Sequence, residues 1–352
     1  MKIGSLNIGN KLIVAPMAEV TDAPFRKIAK KMGAGLTFTQ MVSADGVARG
    51  HFETLRLLTF SRDEKPIGVQ ILGNNPEIIK DAVKEIIKLK PDVIDINAGC
   101  PVKKVITKKM GSALLSSPKL FGKIIKQMVD SSNGIPIMVK VRLGNDRNNI
   151  NVIENAKIAE DNGASGIIVH ARTIDMPYNE PHLPEWIRKV KESVNISVVG
   201  NGSVFIPEDA LEMIRSTGCD SVSVARGALG NPFLFSRFNT LMETGTDPGV
   251  PSIELLEEIL LEHLDLIKKE YGNILGLTKA KKNIIWYFKS LNGINYLVNE
   301  IIAANEFNQL YEVIEQHIKN LKIGKYPENN KTFEIEKKFR QKVLFWLLND
   351  SQ

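Results

Sequence analysis

The chain is poor in the residues that would let it rely on anything but a packed core. Its two cysteines, Cys100 and Cys219, stand far apart in 352 residues. That excludes a disulfide framework and a cysteine-based zinc site, and no metal is expected. No apolar run reaches the roughly 18 residues that a membrane helix needs. The opening "MKIGSLNIGNKLIVAPMAEV" contains an apolar patch too short for the core of a signal peptide. A cytoplasmic protein that neither crosses nor enters a membrane is the expectation. There is no internal repeat and no low-complexity segment. Strong charge of one sign is also missing: 46 Lys+Arg against 40 Asp+Glu leave a net charge of +6. A polyanion partner is permitted and not demanded. The excess lies in the first 250 residues, because from Pro251 onward 14 basic residues face 14 acidic ones. One basic cluster in the tail, "TKAKKNIIWYFK", reads equally well as a solvated helix face or a nucleic-acid contact.

The sequence does contain eight short apolar runs: "LIVAPM", "LTFTQMV", "PIGVQILG", "VIDINAGCP", "PIMVKVRLG", "GIIVHART", "ISVVGNGS" and "SVSVARG". They are apolar nearly throughout, as strands covered on both faces should be. Helix-period segments lie between them, among them "PEIIKDAVKEIIKLK", "SPKLFGKIIKQMVD", "NVIENAKIAEDNGA", "EWIRKVKESV" and "PEDALEMIRSTG". Several open on Pro or a capping residue and close on Gly. The link after the second run, "SADGVARGHFETLRLLTFSRDEKP", is long and irregular. Alternation of this kind predicts a parallel sheet, either open and doubly wound or closed. The first run is followed by "APMAEVTDAPF" and not by a dinucleotide-binding glycine fingerprint. The length favours a closed (β/α)8 TIM barrel over residues 1–240. The stretch "TLMETGTDPGVPS" reads as a linker. Residues 251–352 predict a small all-α domain built from "SIELLEEILLEHLDLIKKEYG", "TKAKKNIIWYFKSLNG", "VNEIIAANEFNQLYEVIEQHIKN" and "FEIEKKFRQKVLFWLLND".

Seven of the eight runs carry distinctive residues at their C-terminal ends: Pro16 and Met17, Gln70, Asn97 and Cys100, Lys140 and Arg142, His170 and Arg172, Asn201 and Gly202, and Arg226 and Gly227. In a barrel these ends meet on the face where active sites lie. Polar groups at the end of a buried strand are costly unless paired or used, so the pattern predicts a functional site. The glycine turns in "VVGNGSV" and "VARGALGNP" fall where barrels commonly hold a phosphate, with Arg226 as a counter-charge. Together they point to a phosphorylated cofactor, with flavin mononucleotide (FMN) a strong candidate.

In "APMAEVTDAPFR", "VQILGNNPE", "DINAGCPVKKV", "GSALL", "VKVRLG", "VHART", "GNGS" and "GCDSVSVARGALGNPFLF", taken in order over about residues 10–235, the chain resembles the tRNA-dihydrouridine synthases. It looks nearest their bacterial B-type branch and archaeal relatives. These are flavoenzymes that reduce the C5–C6 double bond of uracil in tRNA, and their layout is a barrel followed by a helical domain. The resemblance implies FMN bound by Pro16, Met17, Ala18, Gln70, Lys140, His170, Asn201, Gly202, Ser203, Ala225, Arg226 and Gly227, with NADPH or NADH as a transient reductant. It implies Cys100 as the acid that protonates C5 while hydride from reduced FMN goes to C6. A thiol near pKa 8.5 suits that role. Asn97 is placed to bond the target base. Arg142, Arg172, Lys103 and Lys104 are assigned to the substrate. Lys108, Lys109, Lys279, Lys281 and Lys282 are further candidates for phosphates. Trp286 and Tyr287 are candidates for base stacking, although their spacing also fits a helix core. Cys219 reads as buried, and His51, His182, His263 and His317 have no assignment. A monomer is expected.

Four positions depart from the family pattern. Ala171, Ala225 and Glu19 stand where glycine is usual, and Ser203 where aspartate is usual. Two other functions fit parts of the pattern: an FMN enzyme acting on a free pyrimidine, and a tRNA-binding module without turnover. The helical tail and basic loop weigh against the first, and the intact Cys100, Lys140 and Gln70 against the second.

Overall fold

The computed structural model describes residues 1–326. The described chain divides into two compact units, one of residues 1–227 with 234–247, the other of residues 228–233 with the chain from Pro248 onward.

The first unit is an eight-stranded parallel barrel. Its strands are β1 (Leu12–Val14), β2 (Thr37–Phe38), β3 (Ile67–Leu72), β4 (Val93–Ala98), β5 (Ile137–Arg142), β6 (Gly166–His170), β7 (Ser197–Asn201) and β8 (Ser221–Val224). The ladder runs β1–β8–β7–β6–β5–β4–β3–β2. It closes through backbone bonds on either side of Leu36: Gly35 N–H donates to Leu12 O and Val14 N–H to Leu36 O, both at 2.9 Å. Each predicted apolar run contains one of these strands. Helices at Pro76–Ile86, Pro118–Ser131, Val152–Asp161, Glu185–Ser193 and Pro207–Thr217 follow β3 to β7 in turn. The last ends on Gly218 in the left-handed region, the stop that its "STG" signals. The irregular link after β2 contains a short strand, Val42–Ser43, paired to the end of β3, and two short helices.

One side of the barrel strands changes character along its length. Toward the strand starts, Ile13, Phe38, Val93, Met138, Ile168 and Val199 form one buried cluster with Leu36. Ile3 and Ile8 join it from a short N-terminal hairpin (Lys2–Ile3 with Leu6–Asn7). Phe38 lies so close over β3 that any side chain at Gly68 would strike its ring. Burying aliphatic and aromatic side chains to this degree contributes roughly 1.5–3 kcal/mol each. Two residues after Phe38, Val93, Met138, Ile168 and Val199, on the same side, the sequence turns polar at Gln40, Asp95, Lys140, His170 and Asn201, while Ala15 after Ile13 stays apolar.

The chain from Phe233 to Thr244 is helical. The expected linker therefore begins later than its turn-rich look suggests, because Phe235, Phe238 and Leu241 are buried at helical spacing. In the second unit the first two expected tail helices lie within Ile253–Phe288, divided at Gly272, where the first expected helix ends and a φ of 68° breaks the helical backbone. The expected third helix is two, Ile294–Ala303 and Phe307–Lys322, separated where Ala304 turns extended. The expected terminal helix "FEIEKKFRQKVLFWLLND" lies outside the described residues. Trp286 and Tyr287 are buried in this unit, with Tyr287 Oη 3.2 Å from His263 Nδ1. They are core residues and not stacking platforms. Among the described residues no helix is long and apolar enough to cross a membrane.

The loop after β1 is pinned by a buried ion pair. Arg26 Nε donates to Glu64 Oε2 at 2.7 Å, and its other nitrogens donate to the carbonyls of Thr21 and Thr59, both at 2.8 Å. Both charged side chains are 1% exposed. Removing one partner leaves the other charge unpaired in a low dielectric. We expect Glu64→Ala to lower unfolding stability by about 3–5 kcal/mol in denaturant titration. A loss under 1 kcal/mol would show that water reaches Arg26.

Candidate active site

The polar side chains at the strand ends meet in one layer. The register sets Gln70 beside Asp95, Asn97 beside Lys140, Arg142 beside His170, and His170 and Ser223 on either side of Asn201. Three amides and a carboxylate within this layer are bonded to one another or to backbone. Gln70 Nε2 donates to Asp95 Oδ2 at 2.6 Å, and Asn97 Nδ2 donates to Gln70 Oε1 at 2.9 Å. Asn97 Oδ1 accepts from the backbone N–H of Gly99 at 3.1 Å and of Cys100 at 2.9 Å. On the other side Asn201 Nδ2 donates to Ser223 O at 2.7 Å, which turns its Oδ1 toward Lys140 Nζ, 3.5 Å away.

Cys100 sits at the turn after β4, partly buried. Its carbonyl accepts from Ser112 twice, from the backbone N–H at 3.1 Å and from Oγ at 2.8 Å. Gly111, at φ 61°, passes so near that a side chain there would meet the Cys100 carbonyl. The "GSALL" segment is thus a clamp under the cysteine. Burial pushes the Cys100 thiol up. The backbone N–H of Val102 opposes that shift, as do Arg142 and then Lys140. The thiol keeps its proton at neutral pH, while two cations lower the cost of giving it up.

Positive charge dominates the site. Burial pulls Lys140 down to about 8, with Arg142 adding to the fall and Asp95 opposing it. Burial pushes Asp95 up to about 7, against the Gln70 bond and Lys140. His170 is held well below its ordinary value by burial first, then by Arg142, Lys140, Arg172 and Arg226. It is neutral at physiological pH. Arg172 Nη1 lies 3.5 Å from His170 Nε2. A guanidinium only donates, so Nε2 is the lone-pair side.

The two arginines assigned to substrate are buried and bonded. Arg142 donates to Gly99 O at 3.1 Å, Thr173 O at 2.7 Å and Tyr178 Oη at 3.2 Å. Arg172 Nη2 donates to Glu180 O at 2.7 Å and Ser203 Oγ at 2.8 Å. Arg226 packs its guanidinium 4.4 Å from the Tyr178 ring centre. The two glycine turns touch at backbone level: a side chain at Gly227 would strike the Val204 carbonyl. Lys103 and Lys104 are exposed on a short helix, Lys103–Thr107, next to Cys100. Pro16 and Met17 are half-buried and Ala18 exposed in the loop after β1, where Thr21 Oγ1 donates to Met17 O at 3.0 Å. Ala225, at the end of β8, is half-buried. Cys219 is buried beside Gly200 and Met213. Among the described residues no cluster of His, Cys, Asp or Glu could hold a metal ion.

Sequence reasoning missed Asp95, Ser112 and Tyr178. Asp95 was detectable: it is two residues before Asn97, hence on the same side of an otherwise apolar strand. Tyr178 carries no signal in sequence, because only the folded loop brings three arginines around it.

The family model for dihydrouridine synthase matches residues 13–322. A tRNA-dihydrouridine synthase B from Pseudomonas syringae pv. tomato is 36% identical over 316 residues, covering 90% of each chain. One from Pseudomonas aeruginosa is 37% identical over 294 residues, covering 83% of this chain and 88% of that one. Among solved structures, an old yellow enzyme homologue from Zymomonas mobilis superposes with a TM-score of 0.52 at 12% identity, covering 72% of this chain and 94% of that one. At that identity the superposition speaks to the barrel alone.

Lys140 illustrates the energetic burden of the site. Its folded pKa is depressed from 10.5 to about 8. The fold therefore disfavours the charged form, although at about 8 the lysine still carries its proton at pH 7. The penalty is absent above pH 10.5, grows as pH falls from 10.5 to 8, and is full at pH 7, where it amounts to about 3 kcal/mol. Lys140→Met should raise the stability of the flavin-free chain by about that much at pH 7, with the gain shrinking between pH 8 and 10.5. Thermal unfolding across that range measures it, and a destabilised variant at pH 7 would refute the sign.

Proposed function

The chain belongs to the dihydrouridine synthase family, and on that premise we propose that it reduces the C5–C6 double bond of specific uridines in tRNA, with FMN as resident cofactor and NADPH or NADH as transient reductant. The observation that carries this reading is the placement of Cys100, its carbonyl clamped by Ser112 and its N–H held by Asn97 at the end of the strand beside Lys140, with burial favouring the thiol form.

The side chains at the barrel mouth suit that cofactor. Arg172 Nε and Ser223 Oγ are buried polar atoms without a partner in the fold. Gly227 brings the turn after β8 against the backbone of the turn after β7 with Arg226 adjacent, a setting for a phosphate. Gln70 uses one hydrogen and one lone pair on Asp95 and Asn97, so it retains one of each for a pyrimidine edge. Lys140 supplies a fixed positive charge for the carbonyl side of the same ring. Pro16, Met17 and Ala18, pinned through Thr21 and Arg26, border the mouth from β1. When bound, the flavin supplies the hydride that reaches uracil C6. Cys100 holds a proton at Sγ and delivers it to C5, and the resulting thiolate lies where Arg142 and Lys140 stabilise it before water restores the proton.

A uridine inside folded tRNA must be turned out to enter such a mouth, at a cost of a few kcal/mol. Phosphate contacts offset that cost. Lys103 and Lys104 are exposed beside the thiol and are assigned to this role. We assign the helical region from residue 251 to tRNA binding. Lys281 spends its ammonium on the Ile302 carbonyl at 2.9 Å, which leaves the barrel loop as the stronger basic contact.

Cys100→Ala should keep its flavin absorbance and lose most turnover, read as dihydrouridine by mass spectrometry of tRNA. Unchanged rates would remove Cys100 as the acid. Lys103→Ala with Lys104→Ala should weaken tRNA binding similarly for all tRNAs and lower the salt slope by about 1.5. An unaltered slope would place the phosphate path elsewhere. In a deletion strain dihydrouridine should vanish at one or a few tRNA positions. Faster oxidation of free dihydroorotate than reduction of tRNA would replace this reading with a free-pyrimidine enzyme.

A further inference from the structure

We propose that Asp95 is a positioning residue for this site, fixing through Gln70 and Asn97 the backbone that presents Cys100. Its catalytic consequence rests on the reading of Cys100 as the proton donor; its structural content does not.

The bonds form one continuous path, with side contacts at Asn97, whose Oδ1 also accepts from the Gly99 N–H and whose Nδ2 also reaches Met41 Sδ at 3.5 Å. Asp95 Oδ2 accepts from Gln70 Nε2, Gln70 Oε1 accepts from Asn97 Nδ2, and Asn97 Oδ1 accepts from the Cys100 N–H, at 2.6, 2.9 and 2.9 Å. Every side chain on it is nearly sealed from solvent: Asp95 is 0% exposed, Gln70 1% and Asn97 8%. An amide can be turned over, exchanging its donor and acceptor ends, so an isolated Gln or Asn does not define a direction. Here both ends of the path do. Above about pH 7, where Asp95 is ionised, its carboxylate can only accept, and a backbone N–H can only donate. Between them, Gln70 must direct nitrogen to Asp95, and Asn97 must direct nitrogen to Gln70 and oxygen to the cysteine loop. Turn either amide over and a buried pair of donors or of acceptors faces each other, at a cost of about 1–3 kcal/mol.

Beyond the Gln70 bond and its charge interaction with Lys140, the carboxylate makes no further bond in the fold. Asp95 Oδ1 has no hydrogen-bond partner, and the residues preceding Asp95 on its side of the strands form the apolar cluster. A buried acid with one bonded oxygen is a poor stabiliser. As the acceptor that sets the polarity of two amides it has a function. The result reaches the thiol at its own backbone N–H, while Ser112 holds the following carbonyl.

The test exchanges the polarity of one link. Gln70→Glu sets two acceptors against each other and breaks the path. Asp95→Asn combined with Gln70→Glu restores it, since the new amide donates to the new carboxylate, which still accepts from Asn97. The readout is the rate at which iodoacetamide alkylates Cys100 in the full-length protein, followed by mass spectrometry with Cys219 as the buried reference. Each protein is measured with and without added FMN, so that loss of cofactor is separable. Gln70→Glu should raise the Cys100 rate at least five-fold, and the double variant should return to within two-fold of wild type. Asp95→Leu should behave like Gln70→Glu while Cys219 stays unreacted. If Asp95→Leu unfolds and Cys219 reacts, the exchanged pair alone decides. A double variant as fast as Gln70→Glu overturns the proposal, as does a Gln70→Glu protein at the wild-type rate. Alkylation needs no tRNA, so these outcomes are independent of the Cys100→Ala turnover that judges the proposed reaction.

Discussion

The bond between the Asp95 carboxylate and the Gln70 amide is where the interior of the barrel changes from apolar to polar. Before it, the side chains of Ile13, Val93, Met138, Ile168 and Val199 need only fill space. After it, each group lies in a low dielectric where an unpaired donor or acceptor costs more than a typical bond returns. The layer of Gln70, Asn97, Lys140, His170, Asn201 and Ser223 therefore cannot be assembled piecemeal. Asn201 is held by a backbone carbonyl of β8 and orients toward Lys140. Asn97 is held by Gln70 and orients the cysteine loop. Dipoles set in advance need not reorganise when charge moves, and this is the form that electrostatic catalysis takes in a dry site.

That preorganisation is expensive to keep. Lys140, Arg142, Arg172 and Arg226 lie around a neutral His170, and Asp95 is a buried acid interacting with Lys140. Burial shifts the lysine and the aspartate toward their neutral forms, so neither stabilises the fold at pH 7. The offset comes from elsewhere in the same unit, from the apolar cluster sealed by the N-terminal hairpin. An anionic partner at the mouth would gain from the same cations. Stability sacrificed at the site reappears there as affinity, the usual exchange between the two.

The barrel was legible in sequence because buried parallel strands are apolar throughout and glycine stops are local. All eight strands lie inside the runs that announce them, and the strand-end rule brought Gln70, Asn97, Lys140, His170 and Asn201 into one layer. What escaped has tertiary causes. A lone acid within "VIDINAG" looks like an interruption until its neighbour on β3 is known. Ser112 is an unremarkable serine unless the chain folds back under Cys100. The tail misled at one break: an extended Ala304 divides the expected third helix, and no proline or glycine marks it. The break at Gly272 falls where the first expected tail helix ends. Trp286 and Tyr287, adjacent to basic residues in sequence, are turned inward by helix packing.

The departures from the family pattern show what such a resemblance transmits. Glycine is usual at the position of Glu19, and the structure supplies the reason: φ there is 59°. A side chain in that region costs roughly 1–2 kcal/mol, yet the backbone is kept, with the Glu19 N–H donating to Gln40 Oε1 at 2.7 Å. Ser203, where aspartate is usual, likewise holds a φ of 48° and accepts from Arg172 at 2.8 Å. An aspartate there would bring a full charge to that guanidinium; serine brings a dipole. The turn after β7 therefore keeps its path while Arg172 keeps more of its own charge uncompensated. A cofactor phosphate next to that turn would meet a stronger positive field here than in relatives with the acid. What is shared is the route of the backbone past the mouth of the barrel, and the side chains adjust the field through which it is approached.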